Sequence, residues 1–255
     1  MKISNRVEQI FSHAVALEQT GTFKNTIYVN RNEIYILNFD HTVLLRFKLR
    51  KSETPFQQPV SFRANDYDSK HFYEEGDQVV FEKSISGFVR KKSCGKPELS
   101  PNDIKRLFEN RERKGQEFNS LILPSNLISL LDTSLSHIEF SGQKGKGLTI
   151  IQRNIYSGGI LKIVPENKNK GLFELKTLKK SFGPIGLRTN DFIALFTFQD
   201  VLNFGFEENY ITVNSIDKNK MDFSGFIACC LYDEIIQIKE VQNNGRQKQK
   251  IRRSK

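Results

Sequence analysis

The side chains of this 255-residue chain that could do chemistry are four histidines, three cysteines, a lysine–glycine segment and several carboxylate pairs. A zinc site draws its ligands from short, repeated spacings. His13, His41, His71 and His137 are scattered, and neither CxxC nor HExxH occurs. Cys229 and Cys230 are adjacent in FIACCLY, a buried-strand pattern. Neighbours on a strand face opposite sides, so these two thiols do not share a metal and read as small hydrophobes. With Cys94 the count is odd and makes no disulfide framework. GQKGKG, residues 142–147, offers lysines and glycines to a phosphate but lacks the Walker spacing and a following helix, so it reads as a hairpin turn. The pairs Glu74-Glu75, Glu207-Glu208 and Asp233-Glu234 are sequence neighbours. Such neighbours rarely converge on one substrate, which makes acid–base catalysis a poor fit. No G-x-S-x-G is present. The expectation is a protein that is not an enzyme, with no catalytic residue, cofactor or metal, and the weight shifts to binding or scaffolding.

Positive charge is the feature that remains. The net charge is +10, and residues 246–255, RQKQKIRRSK, hold six cations and no acid. Lys248, Lys250, Arg252 and Arg253 lie in this tail, and such a run is a device for holding a polyanion, nucleic acid before phospholipid. Further basic residues fall on the polar faces of predicted helices: Arg6 with His13, Lys70 with His71, and Lys176 with Lys179 and Lys180. Helices sharing one side of a sheet would merge these faces into a surface that contacts phosphates without reading bases. LLRFKLRK, residues 44–51, alternates apolar and basic, so its cations share one face of a strand, read here as a solvated face.

The elements that must position these residues recur. A strand at residues 1–3 leads into a helix running to residue 19, with Val7, Ile10, Phe11, Ala14 and Val15 on one face and Gly21 closing it. Strands follow at 26–30, 33–38 and 42–49, with turns at Arg31-Asn32 and Asp40-His41. Then come a polar loop, a strand at 60–63, a short helix at 65–74 and strands at 78–81 and 87–91. The second occurrence opens with a strand at 121–123, a helix at 125–135 with Leu127, Leu130, Leu131 and Leu135 on one face, and strands at 137–141, 148–153 and 159–164. A helix at 172–181 ends at 182–184, and strands at 192–198, 201–206, 210–214 and 223–232 close the unit. The second copy starts about 120 residues after the first, so the chain reads as two copies of one strand–helix–sheet unit.

Between the copies, Ser100-Pro101 begins a helix over 101–114 as N-cap and first-turn proline. Only Ile104, Leu107 and Phe108 are apolar on it, so it reads as a mostly solvated connector that docks by one short stripe. The fold class is α+β: two similar domains of antiparallel sheets with short helices on one side. The domains are 1–97 and 118–239, with a connector at 98–117 and a disordered basic tail at 240–255. No signal peptide and no apolar run near 18 residues appear, so the expectation is a soluble, intracellular protein without a membrane partner.

This pattern resembles the DNA sliding clamps, the ring-shaped polymerase processivity factors, especially the two-domain clamps of phages and of archaeal and eukaryotic replication. MKISNRVEQIFSHAVALEQTG is similar to the family's opening strand and helix, and LILPSNLISLLDTSLSHIEFSG opens a second domain in the same way. LFELKTLKKSFGP with LRTNDFIALFTFQDVLNFGF resembles its second helix and following strands, with residues 223–232 as the closing strand. The resemblance covers most of residues 1–235 and rests on pattern. It implies a homotrimeric ring around duplex DNA, located at replication sites (in host cytoplasm for a virus) and partnered by a DNA polymerase and a clamp loader. It places Arg6, Lys70, Lys176, Lys179 and Lys180 toward DNA. It also places Cys94, Leu107, Phe108 and Leu231 at the border of a partner pocket. The other reading is a non-ring, β-rich nucleic-acid-binding or virion-associated protein that uses its basic tail.

Overall fold

The computed structural model describes residues 3–19, 25–38, 41–53, 55–67, 71–75, 78–94, 99–114, 119–135, 137–144, 148–153, 159–163, 181–206, 210–219 and 221–227. All of the predicted helix at 172–181 except Ser181, the end of the closing strand beyond residue 227, Cys229, Cys230 and the tail lie outside these residues.

Helix α1, Asn5–Gln19, starts where the Ser4 hydroxyl accepts a hydrogen bond from the Val7 amide at 3.3 Å. Its spacing of Val7, Ile10, Phe11 and Ala14 makes one stripe, and all four are fully buried. Burying each large apolar side chain contributes about 1.5–3 kcal/mol. Strand β1, Asn25–Asn30, is tied to this helix by the Asn25 side chain, whose Nδ2 donates to the Ala14 carbonyl at 2.9 Å. Strands β2, Glu33–Asn38, and β3, Val43–Lys48, complete a meander, and β4, Val60–Arg63, returns beside β1. The predicted turn at Arg31-Asn32 is present, with Arg31 left-handed at φ 56°. At the next turn the Asn38 side-chain oxygen accepts from the amides of Thr42 and Val43, each at 2.8 Å.

Three more strands form a separate sheet: β5, His71–Glu75, β6, Gln78–Ile85, and β7, Phe88–Ser93. Ser86 and Gly87 both have positive φ, the geometry of the two-residue turn that suits strand twist. Helix α2, Pro101–Lys114, is capped by a reciprocal arrangement. The Asp103 amide donates to the Ser100 hydroxyl, and that hydroxyl donates to the Asp103 carboxylate at 2.6 Å. Strand β8, Asn119–Pro124, then leads to β9, His137–Gly142, β10, Leu148–Arg153, and β11, Ile160–Ile163, a second meander. Strand β12, Phe182–Arg188, lies beside β9 as β4 lies beside β1. Helix α3, Thr189–Leu195, precedes a last meander of β13, Val201–Phe206, β14, Ile211–Ser215, and β15, Phe223–Ile227.

The two ends of the chain meet in one eight-stranded sheet of order β4-β1-β2-β3-β15-β14-β13-β8. Its seam is the antiparallel pair of β3 and β15, which sets Phe47 against Phe223 and Val43 against Ile227. Gly225 makes that approach possible, because a Cβ there would lie 2.5 Å from Leu45 Cδ2 and 3.0 Å from the Leu44 carbonyl. Phenylalanine supplies the core in place of tryptophan, as in the edge-to-face contacts of Phe62 with Phe11 and Phe81, both at 5.3 Å.

Alternation sends Ile27, Val29, Ile34, Ile36, Leu45 and Phe47 to the core shared with α1. Tyr28, Tyr35, Leu37 and Leu44 face the other way and pack with Ile104, Leu107 and Phe108 of α2. The helices therefore do not all lie on one side: α2 covers the face opposite α1.

Four sequence expectations are corrected. Where a helix over 65–74 was expected, the described residues hold a short 3-10 turn, Ala64–Asp66, and β5, because His71 to Glu75 pair in register with Glu82 to Gln78. The helix expected over 125–135 is a 3-10 segment, Ser125–Leu130, which leaves Leu130 55% exposed. Residues 182–184 begin β12 and do not end a helix there. The strand expected at 192–198 is largely α3, where Phe192, Leu195 and Phe196 bury a helical i, i+3, i+4 stripe.

Candidate functional site

Each of the four meanders ends in a third strand. Two of these, β3 and β15, pair with each other; the other two, β7 and β11, are sheet edges with no further partner among the described residues. An open strand edge presents unpaired N–H and C=O groups and templates pairing with another chain. Both edges also expose large apolar side chains. Phe88 is 81% exposed and Val89 54% on β7, and Ile160 is 61% exposed on β11 beside Leu161. These residues were not singled out in the sequence.

The edges are basic as well as apolar. Strand β7 carries Arg90, Lys91 and Lys92, and β11 carries Lys162, with no acidic residue on either strand. Lys92 is held by Asp66 at 3.2 Å and by the Asn65 carbonyl at 3.0 Å. The Lys91 ammonium stands 5.5 Å from the Tyr73 ring centroid, and its pKa is raised by hydrogen bonding to Tyr73 and by the charge of Glu82.

The interface between α2 and the sheet is a second cluster. Arg46, on β3, makes a two-pronged ion pair with Glu112 at 2.8 and 3.1 Å while its guanidinium lies 4.3 Å from the Phe108 ring centroid. The Arg111 guanidinium lies over Tyr210 at 4.9 Å, which ties α2 to the last meander as well. Lys105 reaches Glu33 at 3.3 Å, and burial and the Glu33 charge raise the Tyr35 hydroxyl's pKa. Arg46 and Lys48 do share a face of β3, as LLRFKLRK predicts, but Arg46 is buried under α2 where a solvated face was expected.

Of the residues expected to face DNA, Arg6 lies on α1 with its side chain 14% exposed and a guanidinium nitrogen 4.0 Å from Glu53. Over residues 5–15 of α1 the exposed positions are Asn5, Gln9 and Ser12. His13 packs edge-on against Phe198 at 5.1 Å, and burial lowers its pKa. His71 is exposed on β5 and not on a helix. Lys70, Lys176, Lys179, Lys180, Lys248, Lys250, Arg252 and Arg253 lie outside the described residues. Of the expected pocket residues, Cys94 is buried just after β7, its amide donating to Val79 at 2.9 Å. Leu107 and Phe108 are buried against the sheet, and Leu231 lies outside the described residues.

No protein-family model matches the sequence, and no curated protein does. The fold does have solved counterparts. The chain aligns with a structure of the PCNA2–PCNA3 complex from Sulfolobus tokodaii at TM-score 0.54 and 11% identity, over 89% of this chain and 98% of that one. A proliferating cellular nuclear antigen from Entamoeba histolytica aligns at TM-score 0.47 and 9% identity, over 86% of this chain and 94% of that one.

The chain shares the fold of PCNA-type sliding clamps. At this identity the likeness is one of fold and not of sequence. Within this clamp fold, the described residues contain no group of three or more His, Cys, Asp or Glu that could hold a metal ion. No helix among them is long and apolar enough to cross a membrane.

Proposed function

We propose that this protein is a DNA sliding clamp, a ring-forming processivity factor made of two similar domains per chain. The observation that carries this reading is the position of the open edges. Strands β7 and β11 end their meanders as β15 and β3 do, and the β3–β15 seam is already made within the chain. Pairing β7 of one copy with β11 of the next repeats that seam between copies. A head-to-tail contact of this kind closes into a ring when its rotation allows. Three copies of two domains are the expected ring.

Topological linkage needs no catalytic group. Trapping by closure raises effective concentration without a tight contact. Lys70, Lys176, Lys179 and Lys180 would face the duplex, Arg6 being turned toward Glu53, and the tail with Lys248, Lys250, Arg252 and Arg253 would add salt-sensitive attraction. The partner pocket for a polymerase or loader would border Cys94 and Leu231, with Leu107 and Phe108 holding α2 in place beside it.

The test is absolute mass by light scattering, followed by retention on plasmid DNA. A discrete species near three times 29.5 kDa, retained on circular plasmid and released by linearisation, is the expected result. A strict monomer that binds linear DNA and loses binding with its tail overturns the ring and supports the tail-driven alternative.

A further inference from the structure

Helix α2 presents two faces. Ile104, Leu107 and Phe108 dock on the sheet. Asn102, Lys105, Arg106 and Glu109, spaced i, i+3, i+4 and i+7, make the other face. This face and the turn between β1 and β2 line a groove of about 480 Å³, a volume typical of ligand sites. Asn30, at the end of β1, is 6% exposed, and its Nδ2 donates to Asn102 Oδ1 at 3.0 Å, which fixes the turn to the helix at the groove. Lys105 is taken up by Glu33 at 3.3 Å and by Glu109, the one acid of the lining, at 3.8 Å. Arg31 and Arg106 also line the groove, and both are exposed. Neither guanidinium has a hydrogen bond or ion pair among the described residues.

We propose that this groove binds an acidic peptide segment of a partner protein, whose carboxylates are taken by Arg31 and Arg106. A guanidinium presents a planar fork that matches a carboxylate with two hydrogen bonds. Arg31 sits at φ 56°, a left-handed position that suits Gly, Asn or Asp and is costly for a long side chain. Its neighbour in the turn is Asn32, so the chain places the arginine, and not the asparagine, where the backbone is strained. Strain of this kind collects at ligand clamps. No aromatic side chain lines the groove to stack a nucleobase, which favours a peptide over a nucleotide or single strand. The groove is distinct from the open strand edges, and the inference does not depend on the ring.

The experiment measures binding of a short fluorescein-labelled peptide of alternating glutamate and serine to the full chain by fluorescence anisotropy, at about 0.1 M salt. Arg31→Asn and Arg106→Gln are each expected to weaken binding about tenfold, the loss of one charge-assisted contact. Arg63→Gln removes an exposed cation at the other end of β1, opposite Thr26, and is expected to leave binding within about twofold. The basic tail is present in every protein, so its attraction cancels. Arg31→Asn is also expected to melt higher, because asparagine tolerates the left-handed backbone, and weaker binding with higher stability is not what a damaged fold produces. Equal losses in all three variants reduce the binding to diffuse attraction, and unchanged binding in the two groove variants assigns it to the tail; either result overturns the proposal. Inorganic phosphate that displaces the labelled peptide as well as unlabelled peptide does makes this a small-anion site. A short duplex whose binding falls in the two groove variants and not in Arg63→Gln makes it a nucleic-acid site. Each of these also overturns the peptide assignment.

Discussion

Arg46 and Glu112, 66 positions apart in sequence, meet in a two-pronged ion pair that joins the connector helix to the sheet. The Arg46 side chain is 7% exposed and that of Glu112 is 53% exposed, so the two partners stand in different environments. Removing the acid leaves a buried guanidinium without its counter-charge, which costs more than the pair itself contributes. Glu112→Ala is expected to lower stability by about 1–2 kcal/mol, the water-exposed carboxylate setting the low end. Phe108→Ala removes the ring beneath Arg46 and is expected to cost about 3–5 kcal/mol. Urea unfolding followed by circular dichroism checks both, and a Glu112→Ala loss equal to that of Phe108→Ala would contradict the ranking.

Gly225 is the second target. An added methyl meets the end of the Leu45 side chain, which can move, and the Leu44 carbonyl, which cannot move without disturbing β3. Gly225→Ala is expected to cost about 1–3 kcal/mol through overpacking. Backbone amides of β3 and β15 should then lose hydrogen-exchange protection ahead of those in β1 and β2. Unchanged protection at the seam would show that it tolerates the wider spacing.

Two groups set a pH dependence. Burial holds the His13 pKa below its ordinary 6.5, so the unfolded chain binds the proton more readily. The neutral imidazole's contribution is full above pH 6.5 and is lost as pH falls below it toward the folded value. Burial and the Glu8 charge push Tyr67 up to about 12, so its contribution is full below pH 10 and is lost as pH rises from 10 to about 12. Melting temperatures at pH 5.5 and 7.5 should differ less in His13→Gln than in the wild type. An equal difference would remove His13 as a source of the acid sensitivity.

The basic tail has a separable effect. Residues 246–255 carry six cations, and each phosphate contact contributes about 0.9 to the salt slope of binding to duplex DNA. Deleting residues 246–255 is expected to reduce the slope of log K against log salt by up to about 5. Fluorescence anisotropy with a short linear duplex measures it, and an unchanged slope means the tail does not touch phosphate.

Much of the fold was legible from local signals. The strands β1 to β3 follow from apolar runs punctuated by Arg31-Asn32, and α2 follows from Ser100-Pro101 and its apolar spacing. The segment 125–135 misled because Leu127, Leu130, Leu131 and Leu135 do fit a helical face. Distant Gln152 overrides it: its side chain accepts from the Asp132 amide at 2.8 Å and donates to the Asp132 carbonyl at 3.1 Å, drawing the backbone out of the helix. The stretch 65–74 misled for a related reason, since β5 exists only through its pairing with β6. At the candidate site, Phe88 and Ile160 look like ordinary strand residues. Whether a strand is the last of its sheet is a property of topology, and no local spacing encodes it. Arg46 read as solvated because nothing near it in sequence announces Glu112.

The seam between β3 and β15 also sets a timetable for synthesis. Strand β3 ends at Lys48 and its partner begins at Phe223, so a ribosome making about 5–20 residues per second delivers the partner roughly 10–35 s later. Throughout that interval the nascent chain carries an unpaired edge reading Val43-Leu44-Leu45-Arg46-Phe47, an aggregation-prone composition interrupted by one charge. Arg46, which later anchors the connector helix, is thus also the residue that guards this edge before its partner strand has been made.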